Sequence, residues 1–318
     1  MKRFKKFTAL LGAAVLALSI TACAGSDQEE AAAAPVSETV TVEHLLGSTE
    51  LPSDPQRIAV LDLASLDMID AMELGDRVVG VPKSSSVSYL TAYTENADLE
   101  DFGSVKEVNM EALMASEPDV IFIGTRLEEQ YEEISKIAPT ICFGIDYEKG
   151  YMESFDSNLS SFSSIFGLGE KAEEISAGYA DRLAKIAQSA DSRSAIIGVV
   201  SSSSLSTLGN TSRCALIGTQ MGFENIAQDV DSTHGNSSSF EFLVDLDPEY
   251  LFILDRDTAI NSEGAKTAVE VMDNELVQKT QAYKNDNIVY LTPDVWYLAE
   301  GGITATDTML RDIENAVL

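Results

Sequence analysis

The sequence predicts two α/β lobes with parallel-type sheets, joined by a single long interlobe helix, and three observations carry that expectation. Short apolar bursts alternate with helix-like segments: Ile58–Leu61, Val78–Val81, Val120–Ile123, Thr140–Phe143, Ala195–Val200, Leu251–Leu254 and Ile288–Leu291. Strands that alternate with helices imply parallel sheets covered on both faces. The two halves also repeat each other. Glu111 precedes Pro118 by seven residues, as Glu241 precedes Pro248, and Arg126 follows Pro118 by eight, as Arg256 follows Pro248. Between the halves, Ser154 to Ala190 carries a long helical apolar period that is interrupted near Gly167 and Gly169.

In chain order, the first segment is an export signal. Lys2, Arg3, Lys5 and Lys6 precede an apolar run from Phe7 to Ile20, and Thr21-Ala22-Cys23 closes it with small residues. The run is shorter than the ~20 residues of a membrane span, so residues 1–22 read as a signal peptide cleaved before Cys23. Ile20-Thr21-Ala22-Cys23 resembles a bacterial lipobox, in which the cysteine receives lipid. The alternative is an ordinary secretory peptide that ends near a cysteine. Residues 24–38 are small and acidic, so 23–38 reads as a lipidated cysteine and a disordered tether. Such a coil reaches on the order of 20 Å.

The rest divides into an N-terminal lobe (39–165), the interlobe helix (166–191) and a C-terminal lobe (192–318). A chain that crosses once on a helix makes a stiff, clam-like molecule with its cleft between the lobes.

Composition removes several function classes. The formal charge of −31, from 52 acidic and 21 basic residues, argues against nucleic acid and against docking on an anionic membrane surface. An anionic ligand then has to be caught by a local cluster of cations, since charges beyond a Debye length of about 8 Å are screened. Apart from Cys23, the cysteines are Cys142 and Cys214, both in or beside apolar runs, which reads as burial and not as a disulfide framework. His44 and His234 are the two histidines, too few for a multi-histidine zinc or manganese site.

Ligands of open parallel sheets bind beyond the carboxyl ends of the strands. Arg126 and Arg256 stand just past short apolar strands, one per lobe. Arg213 ends the loop Ser201–Ser212, ahead of the expected helix Ala215–Met221. Lys83, His234 and Tyr297 with its neighbour Trp296 obey the same rule, Lys83 least distinctively. Guanidinium forks suit an oxygen-rich anion, and three of them favour one with several charges. Taken singly, each arginine reads better as half of a surface ion pair, His234 as a loop or core histidine and Tyr297 as packing. The matched arginine pair favours the cleft. Glu111 and Glu241 occupy equivalent helix starts, where a carboxylate either satisfies the helix dipole or serves as an anionic peg for a membrane partner.

The lipobox, the repeat, Ser232-Thr233-His234-Gly235, Asp255-Arg256, the stretch from Asp273 to Val289 and the ending Val295-Trp296-Tyr297-Leu298-Ala299-Glu300-Gly301-Gly302 together resemble the ferric-siderophore-binding lipoproteins of ABC importers, nearest to those that take catecholate complexes such as ferric petrobactin. The resemblance covers essentially everything after the tether. It implies a class III solute-binding fold of two Rossmann-like lobes with little closure, a monomer lipid-anchored on the extracytoplasmic face of the cell membrane. It further implies hand-over to an ABC-transporter permease dimer, with Glu111 and Glu241 docking on permease arginines. No intrinsic cofactor is implied, since Fe(III) travels as the siderophore complex. Arg126, Arg213 and Arg256 match three cleft arginines of that branch. His234 and Tyr297 fall on positions that complete the iron shell in some members, so direct Fe(III) ligation is expected when the siderophore is tetradentate.

Two other readings compete. One is a binder of another large solute, such as haem, cobalamin or a hydroxamate siderophore. The other is a serine hydrolase using one of Ser201–Ser204 with His234, for which no nucleophile-elbow motif speaks. The chain is expected not to be an enzyme.

Overall fold

The computed structural model describes residues 38–227, 236–237 and 240–318. Cys23 with the export signal and tether, and His234, lie outside the described residues.

The described chain opens on an antiparallel hairpin, β1 (Thr39–His44) and β2 (Gly47–Pro52). Five strands then form the first sheet: β3 (Ile58–Val60), β4 (Val78–Val81), β5 (Glu100–Asp101), β6 (Val120–Gly124) and β7 (Thr140–Phe143). Their order is β5-β4-β3-β6-β7 and every pairing is parallel. All residues of β3, β6 and β7 are buried, which is why these strands are apolar without alternation. The strand order reverses between β3 and β6. Asp62 and Arg126 stand beyond the carboxyl ends of those two strands, the crevice where open sheets of this kind hold ligands.

The second sheet contains β8 (Ser194–Ser201), β9 (Ser204–Leu208), β10 (Glu224–Asn225), β11 (Asn236–Ser237), β12 (Tyr250–Asp255) and β13 (Ile288–Leu291). Its order is β11-β9-β8-β12-β13, with β10 beside the start of β8. The pairings of β8, β12 and β13 are parallel, whereas β9 runs antiparallel to β8 and to β11. Here the structure differs from the loop expected over Ser201–Ser212. Ser202 and Ser203 both take the left-handed region (φ 50° and 60°), and Ser201 faces Ser204, so the chain turns back as a two-residue hairpin. Leu205, Thr207 and Leu208 then face inward, too sparse among serines to read as an apolar burst.

The helix Tyr151–Phe166 ends where Gly167 adopts φ 68° and the Leu168 N–H reaches back to the Ser163 carbonyl at 2.9 Å. The chain restarts as the helix Gly169–Ala190, which leads into β8. At 1.5 Å per residue it is about 33 Å long. Its buried and half-buried residues, Ala172, Ile175, Tyr179, Leu183, Ile186 and Ala190, recur every three or four positions as one stripe. That helix packs on the C-terminal helix Ile303–Val317, to which it is also tied by charge. Arg182 donates to Asp307 Oδ1 at 2.6 Å and to both Glu314 carboxylate oxygens at 2.7 Å.

The helix Leu63–Ala71 of the first lobe meets the same C-terminal helix through Asp67. This fully buried carboxylate accepts from the Thr304 and Ala305 amides at 2.9 and 2.7 Å and from the Tyr89 hydroxyl at 2.7 Å. Gly302 makes the approach possible, since a Cβ there would lie 2.2 Å from Asp67 Oδ2. One apolar cluster runs through both lobes, taking in Phe122 and Phe162 beside Ile197 and Phe252.

Candidate functional site

Each cleft residue is held by a local device at a strand end. Arg126 lies in the turn of 3-10 helix, Thr125–Gln130, that follows β6. Arg256 opens the short helix Arg256–Ala259 after β12, where the Asp255 side chain caps by accepting from the Thr258 amide. Arg213 precedes Cys214, which sits at φ 63° and turns the chain into the helix Ala215–Thr219. A left-handed non-glycine residue costs roughly 1–2 kcal/mol, and here it directs Arg213 to the cleft. Tyr297 is on the helix Pro293–Leu298 after β13, which has proline in its first turn. Asp312 anchors that helix, accepting from the Thr292 amide and hydroxyl and, at 2.8 Å, from Trp296 Nε1.

The three guanidinium groups converge on Tyr297. Their carbons lie 6.0 Å (Arg126), 4.5 Å (Arg213) and 5.6 Å (Arg256) from the centre of its ring. Arg126 Nη2 donates to the Tyr297 carbonyl at 2.8 Å, and Arg213 Nη1 donates to the Trp296 and Tyr297 carbonyls at 3.0 Å each. Arg256 Nε donates to the Tyr297 hydroxyl at 2.9 Å and its Nη1 to Ser201 Oγ at 3.1 Å. Helix-end carbonyls thus orient two of the cations without neutralising them.

Carboxylates nearby balance part of this charge. Asp257 Oδ1 is 3.4 Å from Arg256 Nη1, and Glu300 Oε2 is 3.4 Å from Arg213 Nη1. Burial, and then the Arg213 charge beside it, draws Arg126 below the usual arginine range. For Arg213 burial also opposes the charge, but Glu300 and the neighbouring groups outweigh it and hold the guanidinium above its ordinary value. Burial raises Glu300 in spite of Arg213 and of the Tyr147 hydroxyl, which donates to it at 2.7 Å.

Three cavities meet at Tyr297. One, of about 290 Å³, is lined by Asp62, Arg126, Tyr147, Asn158, Arg213 and Glu300 among others. A second, of about 230 Å³, spans the lobes from Ser84, Ser85, Ser86 and Lys106 to Arg256 and Ile260. The third, about 450 Å³, lies against Ser201, Ser202, Ser206, Arg213 and Arg256. Paired N–H donors and permanent charge suit a multiply charged oxygen ligand. The Tyr297 phenol adds a hard oxygen that suits Fe(III).

Not every residue expected at the cleft is brought there. Lys83 Nζ donates to the Asn96 carbonyl at 2.6 Å, and the side chain lines none of the three cavities. Trp296 is fully buried, with its indole on Asp312, so only its carbonyl contributes, as an acceptor for Arg213. Glu111 and Glu241 are exposed, away from the cleft, in the first turns of the helices Met110–Ala115 and Phe240–Leu246. Sequence reasoning missed Lys106, Asp62 and Glu300. Asp62 stands two residues past β3, so the strand-end rule that found the arginines also finds it.

The model of the periplasmic binding protein family matches residues 58–295. The chain is 33% identical over 318 residues to the petrobactin-binding protein YclQ of Bacillus subtilis, covering 98% of this chain and 99% of the relative. The crystal structure of YclQ superposes with a TM-score of 0.82 over 88% of this chain and 98% of that one. The periplasmic catecholate-siderophore binding protein VctP of Vibrio cholerae also gives 0.82, at 32% identity over 87% of this chain and all of that one (100%). The ferric-anguibactin-binding protein FatB of Vibrio anguillarum is 28% identical over 311 residues, 93% of each chain.

Proposed function

This chain belongs to the periplasmic binding protein family, a family of binders and not of enzymes, and from that premise we propose that it captures a ferric siderophore of catecholate type, resembling ferric petrobactin, for an ABC importer of iron. The observation that carries the reading is the convergence of Arg126, Arg213 and Arg256 on Tyr297. A ferric catecholate is a compact multiple anion with exposed oxygens, and guanidinium forks from both lobes meet that charge and shape together. A neutral hydroxamate complex would leave the same cations largely uncompensated.

In this reading Fe(III) is cargo and no resident cofactor takes part. When the chelator supplies only four oxygens, the Tyr297 phenolate and His234 complete the iron shell. A hexadentate chelator leaves them as outer contacts. Residues 39–165 and 192–318 act as the two jaws, with 166–191 as the strut between them. A monomer is tethered through lipidated Cys23 at the extracytoplasmic face of the cell membrane, and Glu111 and Glu241 dock on cationic pockets of the permease dimer.

Titration of the purified chain with ferric petrobactin, ferric catecholates, a ferric hydroxamate, haem and cobalamin tests the proposal. Trp296, one residue from Tyr297, reports binding by quenching. Saturable quenching by the ferric catecholates is expected; a response confined to haem, cobalamin or the hydroxamate would refute it.

A further inference from the structure

The lobe-spanning cavity of about 230 Å³ differs from the other two in holding an apolar side chain that no core claims. Among the described residues, Ile260 is the one exposed large apolar side chain on the wall of a cleft cavity, at 39% exposure; others, such as Met114 and Leu318, line none of the three. Ile260 joins none of the apolar clusters of the fold, whereas Val105, Ala259 and Leu298 beside it on the cavity wall are buried members of the cluster that runs through both lobes. Its backbone is nevertheless fixed. The Ile260 amide donates to the Arg256 carbonyl at 3.1 Å, and Asn261, at φ 51°, turns the chain so that the Ser262 amide reaches the Asp257 carbonyl at 2.8 Å. Single exposed apolar residues are ordinary on a protein surface. This one is pinned at the end of the Arg256 helix, on a cavity that Arg126, Arg256 and Tyr297 also line, within reach of whatever those groups hold.

Hydrocarbon laid over Ile260 removes apolar surface from water on both partners, and Val105 on the first lobe lets the same arm touch both jaws. A side chain already fixed in place gives that contact at little ordering cost. We propose that Ile260 is a specificity-determining residue that packs against a hydrocarbon linker of the chelator while the arginines hold the ferric centre. This inference rests on the siderophore reading and adds one feature of the substrate, a methylene-rich linker between its chelating groups. A compact chelate without such a linker would satisfy the arginines and leave Ile260 wet.

The test titrates the full chain with two ferric biscatecholamides whose linkers are uncharged and equal in length, one all methylene and the other with two methylenes replaced by ether oxygens. Each methylene buried against apolar surface is worth about fourfold in affinity, so the wild type should prefer the methylene complex by about fivefold or more. Ile260→Ala and Ile260→Thr should each bring the ratio of the two affinities to within about twofold, and either variant serves if the other does not fold. Equal binding of both complexes by the wild type overturns the inference and leaves the siderophore reading standing. A preference that survives in the variants also overturns it, because the linker would then be sensed elsewhere in the cleft. If neither complex binds the wild type, the siderophore reading fails and this inference fails with it.

Discussion

Arg256 Nε donates to the Tyr297 hydroxyl at 2.9 Å, so the one phenol at the meeting point of three cavities has its oxygen held by a cation from the neighbouring strand end. A phenol oxygen in that position is oriented by the guanidinium N–H and keeps its remaining lone pair for a ligand. Tyr297→Phe should therefore weaken a tetradentate ferric catecholate by about tenfold to a hundredfold, the range of a hydrogen bond to a charged group. A hexadentate complex should lose far less. Paired titrations, with the ligand-to-metal charge-transfer band as a second readout, check this; equal losses for both chelates would count against iron ligation.

Replacing Arg126, Arg213 or Arg256 by alanine should weaken ferric catecholate binding, each by about ten- to a hundredfold. Arg213→Ala should differ from the other two in stability. Arg213 and Glu300 have side chains only 13% and 8% exposed, so removing the cation leaves a buried carboxylate without its counter-charge. Such a loss costs about 3–5 kcal/mol, visible as a lowered denaturation midpoint in the ligand-free protein. A midpoint equal to that of Arg126→Ala would contradict the pairing.

Gly302→Ala should destabilise the fold by about 1–3 kcal/mol through overpacking. The new Cβ would lie 2.2 Å from Asp67 Oδ2 and 2.6 Å from its Cγ, and three hydrogen bonds prevent that carboxylate from moving aside. Urea denaturation of the variant against wild type measures the effect.

Asp67 also predicts a pH dependence. Burial raises it from an ordinary value of 3.8 to about 6 in spite of its hydrogen bonds. Between about pH 4 and pH 6 the folded chain thus keeps a proton that the unfolded chain has released. The share of stability due to this group is therefore present at the acid end and falls as pH rises through that window, by at most about 3 kcal/mol. Asp67→Asn should remove the slope. Denaturant midpoints for both proteins from pH 4 to pH 7 test it, and identical slopes would exclude the assignment.

Cys142 and Cys214 should resist thiol reagents in the native state. Both are free and fully buried, and burial pushes the Cys142 thiol up to about 12 and raises Cys214 as well. Labelling should require unfolding. Rapid labelling of the native chain would contradict the packing.

The legible parts of the sequence were those where a single force dominates. Strands buried on both faces, such as Val120–Gly124 and Tyr250–Asp255, announce themselves by unbroken apolar runs, and Arg126 and Arg256 were visible because each follows such a run. β9 was hidden because its inward residues are interrupted by serines. Lys106 was hidden because the strand before it, Glu100–Asp101, is two exposed acids with no apolar signal. Lys83 stands at the expected strand end, yet a long flexible side chain goes where an acceptor is, and the Asn96 carbonyl is nearer. Position along a strand tells which residues reach the rim but not where a rotamer points. Glu300 was quoted for its place in a motif, and only the packing of Tyr147 and Arg213 around it reveals a carboxylate paired inside the cleft wall.

The helix Pro293–Leu298 is gripped from both lobes: Arg126 holds the Tyr297 carbonyl, and the Ser88 amide donates to Asp294 at 2.7 Å, while Arg213, Arg256 and Asp312 hold it from its own side. Only Nη2 of Arg126 is spent on that carbonyl, so its other N–H groups can meet an anion while the same guanidinium keeps its hold on the helix. A passenger gripped there would add a tie between the lobes that runs through the cargo to the one already made by the protein itself.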